Sequence, residues 1–363
     1  MRFSKRLFVI ALSLCLFCVL VSGCGPAEQA EGKNGVPSEI TITDSTGQEI
    51  VLTEKLGKVV VLNPPAAEVL RILQIPESSI VGVAESIQNS PFLGFDSIES
   101  IGTSSTPNIE KIVELKPDAV ISQGKWLTGS DEFREKLEPL GIKIIALDVH
   151  QIDKYDQCMK ALAKAFGKEK RADEFLEWKA EQEKKISDKV KNLAAEEKKK
   201  VIQLYGNKLP KNEWQTSSKG EQAGGTGPDQ QINMAGGINL ARDLEQDYPT
   251  INVEWIVEQN PDVILITSYD LGYAAEEDGG AAELVNLVLA NKGVAATAAG
   301  KGEQVYVTAS LASTPYLSAQ FVAKWLYPDL FADIDPEDAL KDYFDQWLGV
   351  PFKGSWVYPP LSK

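Results

Sequence analysis

Two stretches of this chain nearly repeat each other. NIEKIVELKPDAVI, starting at Asn108, aligns without a gap with NVEWIVEQNPDVIL, starting at Asn252, at an offset of 144 positions. Each copy reads as an asparagine N-cap, a short helix, a Pro-Asp stop and a buried strand. A helix–strand unit duplicated this far apart restricts the fold to two related lobes. Between the copies lies KEKRADEFLEWKAEQEKKISDKVKNLAAEE, residues 168–197, free of Gly and Pro and dominated by strong helix formers. As one helix it spans roughly 40–45 Å, the breadth of a domain. Its apolar positions form two clusters: Ala172, Phe175, Leu176 and Trp178 at one end, Ile186, Val190 and Leu193 at the other. Lys179 and Glu183 share the face between them. A helix buried in one core keeps its stripe unbroken, so the pattern predicts a bridge docked at both ends with a wet middle. A solvated or coiled-coil helix held by pairs such as Glu181 and Lys185 is the alternative.

Short apolar runs alternate with amphipathic segments on both sides of that helix. Before it, strands at 59–62, 80–84, 119–122 and 143–147 alternate with helices at 66–73, 108–115, 131–140 and 155–166. After it, strands at 201–204, 263–267 and 305–307 alternate with helices near 230–235, 252–259 and 281–290. Helices near 316–326 and 336–348 close the chain, the second with Asp335 as N-cap and Pro336 at its first position. Residues 40–43 and 50–52 flank a turn and form a small hairpin. The expected class is α/β: two Rossmann-like lobes joined by one long rigid α-helix, with the ligand cleft between them.

The first residues are an address. Arg2, Lys5 and Arg6 precede an apolar run at 7–21, too short for a membrane span of about 20 residues. The run ends in Val21-Ser22-Gly23-Cys24, which resembles the bacterial lipobox, so lipidation is expected at Cys24; an uncleaved anchor or an ordinary signal is the alternative. Removing 1–23 takes three positive charges and no acids from a formal net charge of −15, leaving −18. That balance argues against a nucleic-acid surface. Of the four cysteines only Cys158 then remains unmodified, so no disulfide framework is available. The expected boundaries are a signal peptide at 1–23, lipidated cysteine and flexible tether at 24–38, N-terminal lobe at 39–167, linker helix at 168–197, and C-terminal lobe with terminal helices at 198–363.

His150 is the only histidine, which excludes a three-His metal site. No GxSxG or Walker loop is present, and spacing singles out no catalytic residue and no metal ligand. Gly224–Gly227 reads as a turn or, less simply, as an anion-facing loop. What remains is a cleft beyond the C-terminal strand ends. The first lobe offers Asn63, Gln88, Gln123, Lys125 and Trp126 there, with His150 after its last strand. The second offers Tyr205, Trp214, Ser268, Tyr269, Tyr273 and Ser310. Aromatic walls with a few polar anchors suit a large, partly apolar ligand.

The lipobox, NIEKIVELKPDAVIS, the lone linker helix, AGGINLA from Ala235, NVEWIVEQNPDVILI and WLYPDLF from Trp325 together resemble ABC-transporter substrate-binding proteins. The class is the one with a single helical backbone, which takes up ferric siderophores, haem and vitamin B12. The resemblance covers roughly residues 40–348. It implies an extracytoplasmic, lipid-anchored receptor, monomeric and without a resident cofactor, whose ligand is an iron or cobalt chelate. Its partner would be an ABC permease dimer with its ATPase subunits. The zinc and manganese branch of the family uses several His, which this chain lacks, and that favours a pre-chelated metal. In the vitamin B12-binding members, glutamates at two motif positions meet arginines on the permease; the matching positions here are Glu110 and Glu254. Each also sits in a first helical turn, where a carboxylate stabilises the helix by about 0.3–1 kcal/mol. A receptor for another organic or oxyanion ligand, a surface sensor or an exported hydrolase on the same fold are the alternatives.

Overall fold

The described chain opens on a hairpin, β1 (Ile40–Thr43) and β2 (Glu49–Leu52). Asp44 shapes its turn by accepting hydrogen bonds from the amides of Thr46 and Gln48 at 2.8 and 3.1 Å. The structure is a computed structural model and describes residues 39–124, 131–220, 226–310 and 314–361. Ser38–Lys363 form one compact unit.

The apolar runs of the first half become β3 (Val59–Val61), β4 (Ile80–Val83), β5 (Ala119–Ser122) and β6 (Lys143–Ala146), all parallel, in the order β4-β3-β5-β6. They are buried almost continuously, as strands covered by helices on both faces must be. The second half adds β7 (Lys200–Tyr205), β8 (Trp214–Gln215), β9 (Ile238–Asn239), β10 (Thr250–Ile251), β11 (Val263–Ser268), β12 (Val305–Ala309) and β13 (Val357–Tyr358). Its sheet runs β13-β12-β11-β7-β9, parallel except at β13, and β8 with β10 forms a separate antiparallel ribbon. Each sheet places its first strand between its second and third and its fourth outside the third. The two sheets therefore share one topology. The repeated sequence supplies the same unit to each, the helix before the third strand and that strand itself.

The helices over these sheets are α1 (Pro64–Ile72), α2 (Ile109–Leu115), α3 (Asp131–Leu137), α4 (Ile152–Phe166), α5 (Glu169–Val190), α6 (Gly227–Met234), α7 (Val253–Gln259), α8 (Ala281–Ala290), α9 (Pro315–Leu326) and α10 (Pro336–Asp342). The linker helix α5 differs from expectation in two respects. It stops at Val190, and Ala194 is extended, its amide taken by the Glu197 carboxylate at 2.8 Å, which starts a separate short turn. Val190 packs onto Gly236, where an added Cβ would stand 2.9 Å from the Val190 Cβ and where φ is +79°. Leu193, just past the helix end, packs on the same glycine, an added Cβ there standing 3.3 Å from its Cδ1.

The middle of α5 is also dry. Ala172, Phe175, Lys179, Gln182 and Ile186 are all buried and follow one another at helical spacing, so the stripe is unbroken. Lys179 is 4% exposed. It is held by Asp156 at 2.9 Å and Glu183 at 2.7 Å, with the Tyr155 and Tyr316 ring centroids 5.5 and 5.6 Å away. Residues after the last parallel strand make the difference: α9 folds back over the linker, and the Gln320 amide reaches Gln182 at 3.4 Å.

A π-helical turn, Tyr343–Leu348, continues α10 and ties the C-terminal segment to the first lobe. Arg71 of α1 donates to the Leu348 carbonyl from Nε and Nη2 at 3.3 and 2.9 Å. Arg171 of α5 donates to the carbonyls of Ile72 and Gln346 at 3.0 and 3.2 Å, its guanidinium 4.2 Å from the Trp347 ring centroid. The lobes are thus connected through the linker and through this clasp.

Candidate functional site

Open α/β sheets bind ligands where neighbouring strands send their connections to opposite sides. Here that point lies beyond β3 and β5 in the first lobe and beyond β7 and β11 in the second. Two cavities open there. The larger, about 360 Å³, is walled by Glu68 and Phe92 from the first lobe, by the 269–275 loop, by Tyr343 and Phe344 of the π-helical turn, and by Trp356. The smaller, about 150 Å³, takes His150 from the first lobe and Tyr205, Gly227, Gln231 and Tyr248 from the second. Tyr269 and Ser310 line both, so the two form one furrow. At its side the Ile152 amide donates to the Gln230 Oε1 across the lobes at 3.1 Å.

Strand ends position the walls. Ser268 closes β11: its hydroxyl accepts from the Asp270 amide at 3.1 Å and its carbonyl from the Ser310 amide at 3.0 Å. Tyr269 is thereby turned outward, 60% exposed. The Gly272 amide donates to the Ser355 carbonyl at 2.6 Å, which clips the loop to the C-terminal tail. Tyr273 stacks on Phe344 at 5.3 Å and 27°, and Phe92 lies 5.5 Å from each of those rings. The Tyr205 hydroxyl is paired with the Ser217 hydroxyl at 2.8 Å, and burial pushes its phenol up, so it stays a neutral donor or acceptor. Tyr343 donates to Glu68 Oε2 at 2.6 Å. Its own phenol is pushed well up by burial and then by the Glu68 charge. The furrow therefore offers aromatic faces, neutral hydroxyls and carboxylates, a surface for gripping a bulky ligand.

Of the residues expected from sequence, Tyr205, Tyr269, Tyr273, Ser310 and His150 come together on these walls. Ser268 stands just behind them. Asn63 is fully buried and donates to the Leu147 carbonyl at 2.5 Å, linking the ends of β3 and β6. Gln88 donates to the Ile98 carbonyl at 2.8 Å. Trp214 is buried in the β8–β10 ribbon, its indole NH directed to Asn212 at 3.3 Å. Neither these three nor the half-buried Gln123 lines either cavity. Lys125, Trp126, Gly224 and Gly225 lie outside the described residues, as does Cys24; Gly227, the end of the glycine-rich stretch, starts α6 and borders the smaller cavity. Glu110 and Glu254 are exposed in the first turns of α2 and α7. Asn108 caps the first helix through the Lys111 amide at 3.1 Å, and Asn252 the second through the Trp255 amide at 2.8 Å.

Sequence reasoning missed Glu68, Phe92, Tyr343, Phe344 and Trp356. They come from a helix, a loop and the C-terminal tail rather than from residues directly after strands. The available signal was the aromatic density of the tail, where Tyr343, Phe344, Trp347, Phe352 and Trp356 crowd fourteen positions.

The profile of the periplasmic binding protein family matches residues 59–311. An uncharacterized ABC transporter substrate-binding lipoprotein of Bacillus subtilis, YvrC, is 26% identical over 285 residues, covering 77% of this chain and 87% of that protein. The Fe(3+)-citrate-binding protein YfmC of the same organism is 28% identical over 272 residues, covering 73% and 81%. Among solved structures, the TroA-like periplasmic binding protein FepB of Veillonella parvula superposes with a TM-score of 0.74 at 24% identity, covering 88% of this chain and 99% of that one.

Proposed function

The chain belongs to the periplasmic binding protein family, and from that premise we propose that it is the extracytoplasmic substrate-binding component of an ABC importer for an iron or cobalt chelate. The observation that carries the reading is the furrow between the lobes, a cavity of about 360 Å³ walled by six aromatic rings. Rings of this kind grip the organic envelope of a ferric siderophore, haem or corrinoid. Ferric citrate is named for one relative and vitamin B12 for others, which supports it, whereas molybdate is named for another. The role is capture and delivery, not catalysis. The chain acts as a monomer, held to the membrane only through a lipid on Cys24, and hands its ligand to a permease dimer with ATPase subunits. The lipoprotein relative supports the anchor, and a mature protein whose intact mass lacked acyl chains would remove it.

Trp356 on the cavity wall is a built-in reporter. Titrating the protein with ferric and cobalt chelates is expected to change tryptophan fluorescence saturably, at micromolar concentration or below for at least one of them, roughly 8 kcal/mol of binding free energy. Micromolar binding of a free amino acid, with no response to any chelate, would reject the assignment.

A further inference from the structure

We propose, building on the reading of the cleft as a chelate site, that Phe344 is its positioning residue: the ring latches the two lobes together beside the larger cavity and fixes the spacing at which their aromatic walls receive the chelate. Phe344 is 1% exposed, so its faces are spent on other rings rather than offered to a ligand. Phe92, from the first lobe between β4 and α2, meets it edge-on at 5.5 Å and 81°. Tyr273, from the second-lobe loop after β11, stacks on it at 5.3 Å, and Trp356 lies 5.0 Å away. Phe92 and Tyr273 are themselves 5.5 Å apart. Such ring pairs contribute beyond the area they bury. All four rings line the larger cavity, so loss of Phe344 frees walls of both lobes at once.

The backbone around the ring is fastened to both lobes. On the first-lobe side, Tyr343 donates to Glu68 and Arg71 to the Leu348 carbonyl. On the second, the Ser355 carbonyl takes the Gly272 amide, the Trp356 carbonyl takes the Ala309 amide at 2.8 Å, and β13 pairs with β12. Residues 349–354 run between these anchors as a short strap. Gly349 and Gly354 stand at its ends with φ of +67° and +92°, and a Cβ on Gly354 would collide with the Gly272 carbonyl oxygen. The ring is thus set between the lobes by its own neighbours. Walls ordered in advance spare a ligand the cost of ordering them, and that gain shows mainly as slower release. Loosened walls adapt to more shapes and discriminate less.

The test compares wild type, Phe344→Leu and Phe344→Ala in full-length mature protein, with Phe331→Leu, equally buried but lining neither cavity, as the control. Spin labels at Glu114→Cys and Glu258→Cys, both exposed and on opposite lobes, read the distance between the lobes by double electron–electron resonance. Phe344→Ala is expected to broaden that distance distribution and Phe344→Leu to broaden it less, while Phe331→Leu leaves it as in wild type. Ferric citrate, ferrichrome, ferrioxamine B, haemin and cyanocobalamin are the ligand probes. For the one that wild type binds tightest, Phe344→Ala should raise the dissociation rate about tenfold or more and change the association rate less than about threefold. Its lead over the next probe should shrink. An unbroadened distribution with an unchanged dissociation rate, in a Phe344→Leu protein that folds, overturns the latch and leaves the receptor reading intact. Faster association with unchanged dissociation does the same, because the ring would then be a gate. Binding of none of the five by wild type, with capture of an unrelated solute, overturns the receptor reading, while the spin-label distances still decide the latch.

Discussion

Cys158 shows how one buried side chain fixes a solution property. Its thiol lies 3.2 Å from the Ser45 hydroxyl, and burial pushes its pKa from an ordinary 9.0 up to about 11. The folded state therefore disfavours the thiolate. Stability from this group is complete below pH 9 and is lost as pH rises toward 11, by about 2–3 kcal/mol at most. The buried phenols of Tyr155, Tyr316 and Tyr343 shift the same way and add to the loss. We expect Cys158 to resist Ellman's reagent at pH 8 in the native protein and to react fully in denaturant. Cys158→Ala should flatten the fall in Tm between pH 9 and 11 without abolishing it; native-state labelling within minutes would contradict this account. Single residues were also the hardest feature to read from sequence. Trp214 and Tyr269 are both expected beyond strand ends, yet Trp214 is buried in the β8–β10 ribbon, whose pairing depends on the later β10, and Tyr269 lines the furrow, turned outward by the Ser268 turn and its bond to the distant Ser310 amide. Glu68 carried no signal at all, since nothing local tells a helix residue which lobe will face it.

Elements were legible where burial was continuous. Val120 and Ile264 sit in runs that only a covered parallel sheet accommodates, and the asparagine caps at Asn108 and Asn252 stand where the repeat puts them. Two-residue strands such as β8, β9, β10 and β13 left no pattern, because tertiary contacts set their pairing. The linker helix was half legible. Its existence followed from composition, whereas its dry middle depended on α9, which lies more than a hundred residues downstream. Lys179 at its centre gives a test. Truncation by Lys179→Ala leaves the carboxylates of Asp156 and Glu183 without their shared cation and opens a gap beside Tyr155. Asp156 is largely exposed and Glu183 partly so, so water takes over much of their charge, and the expected cost is about 1–3 kcal/mol, read as a lower midpoint in urea. Lys179→Met restores the volume and should recover part of it, whereas the exposed Lys184→Ala should move the midpoint little. A Lys179→Ala protein as stable as wild type would mean that the helix centre is solvated after all.

At the scale of the whole molecule, two sheets of one topology are joined by a helix buried along one stripe and by a C-terminal clasp, so the surface carries related features on both lobes. Glu110 and Glu254 are such a pair. Both are exposed, both lie in the first turn of an asparagine-capped helix, and both belong to the repeated sequence. Helix stabilisation explains one glutamate at each site, but it needs neither exposure nor a counterpart on the other lobe. A permease dimer presents two related surfaces, and a receptor with one carboxylate on each lobe can engage both at once. We propose that these two glutamates dock the protein on its permease, meeting a basic side chain on each subunit. Such pairs steer encounter and fix register, so their loss appears in docking and not in chelate affinity. With the cognate transporter in proteoliposomes, each of Glu110→Gln and Glu254→Gln is expected to raise the concentration for half-maximal ATPase stimulation about tenfold. The double variant should lose more, because two linked contacts contribute jointly to avidity. Raising salt to several hundred millimolar should weaken the wild type towards the single variants, since exposed charges are screened within about 10 Å at 0.1 M. Unchanged stimulation by the double variant would reduce both residues to helix-start carboxylates. A matching loss of chelate binding would instead show that the substitutions reach the cleft, and docking would have to be sought on another face.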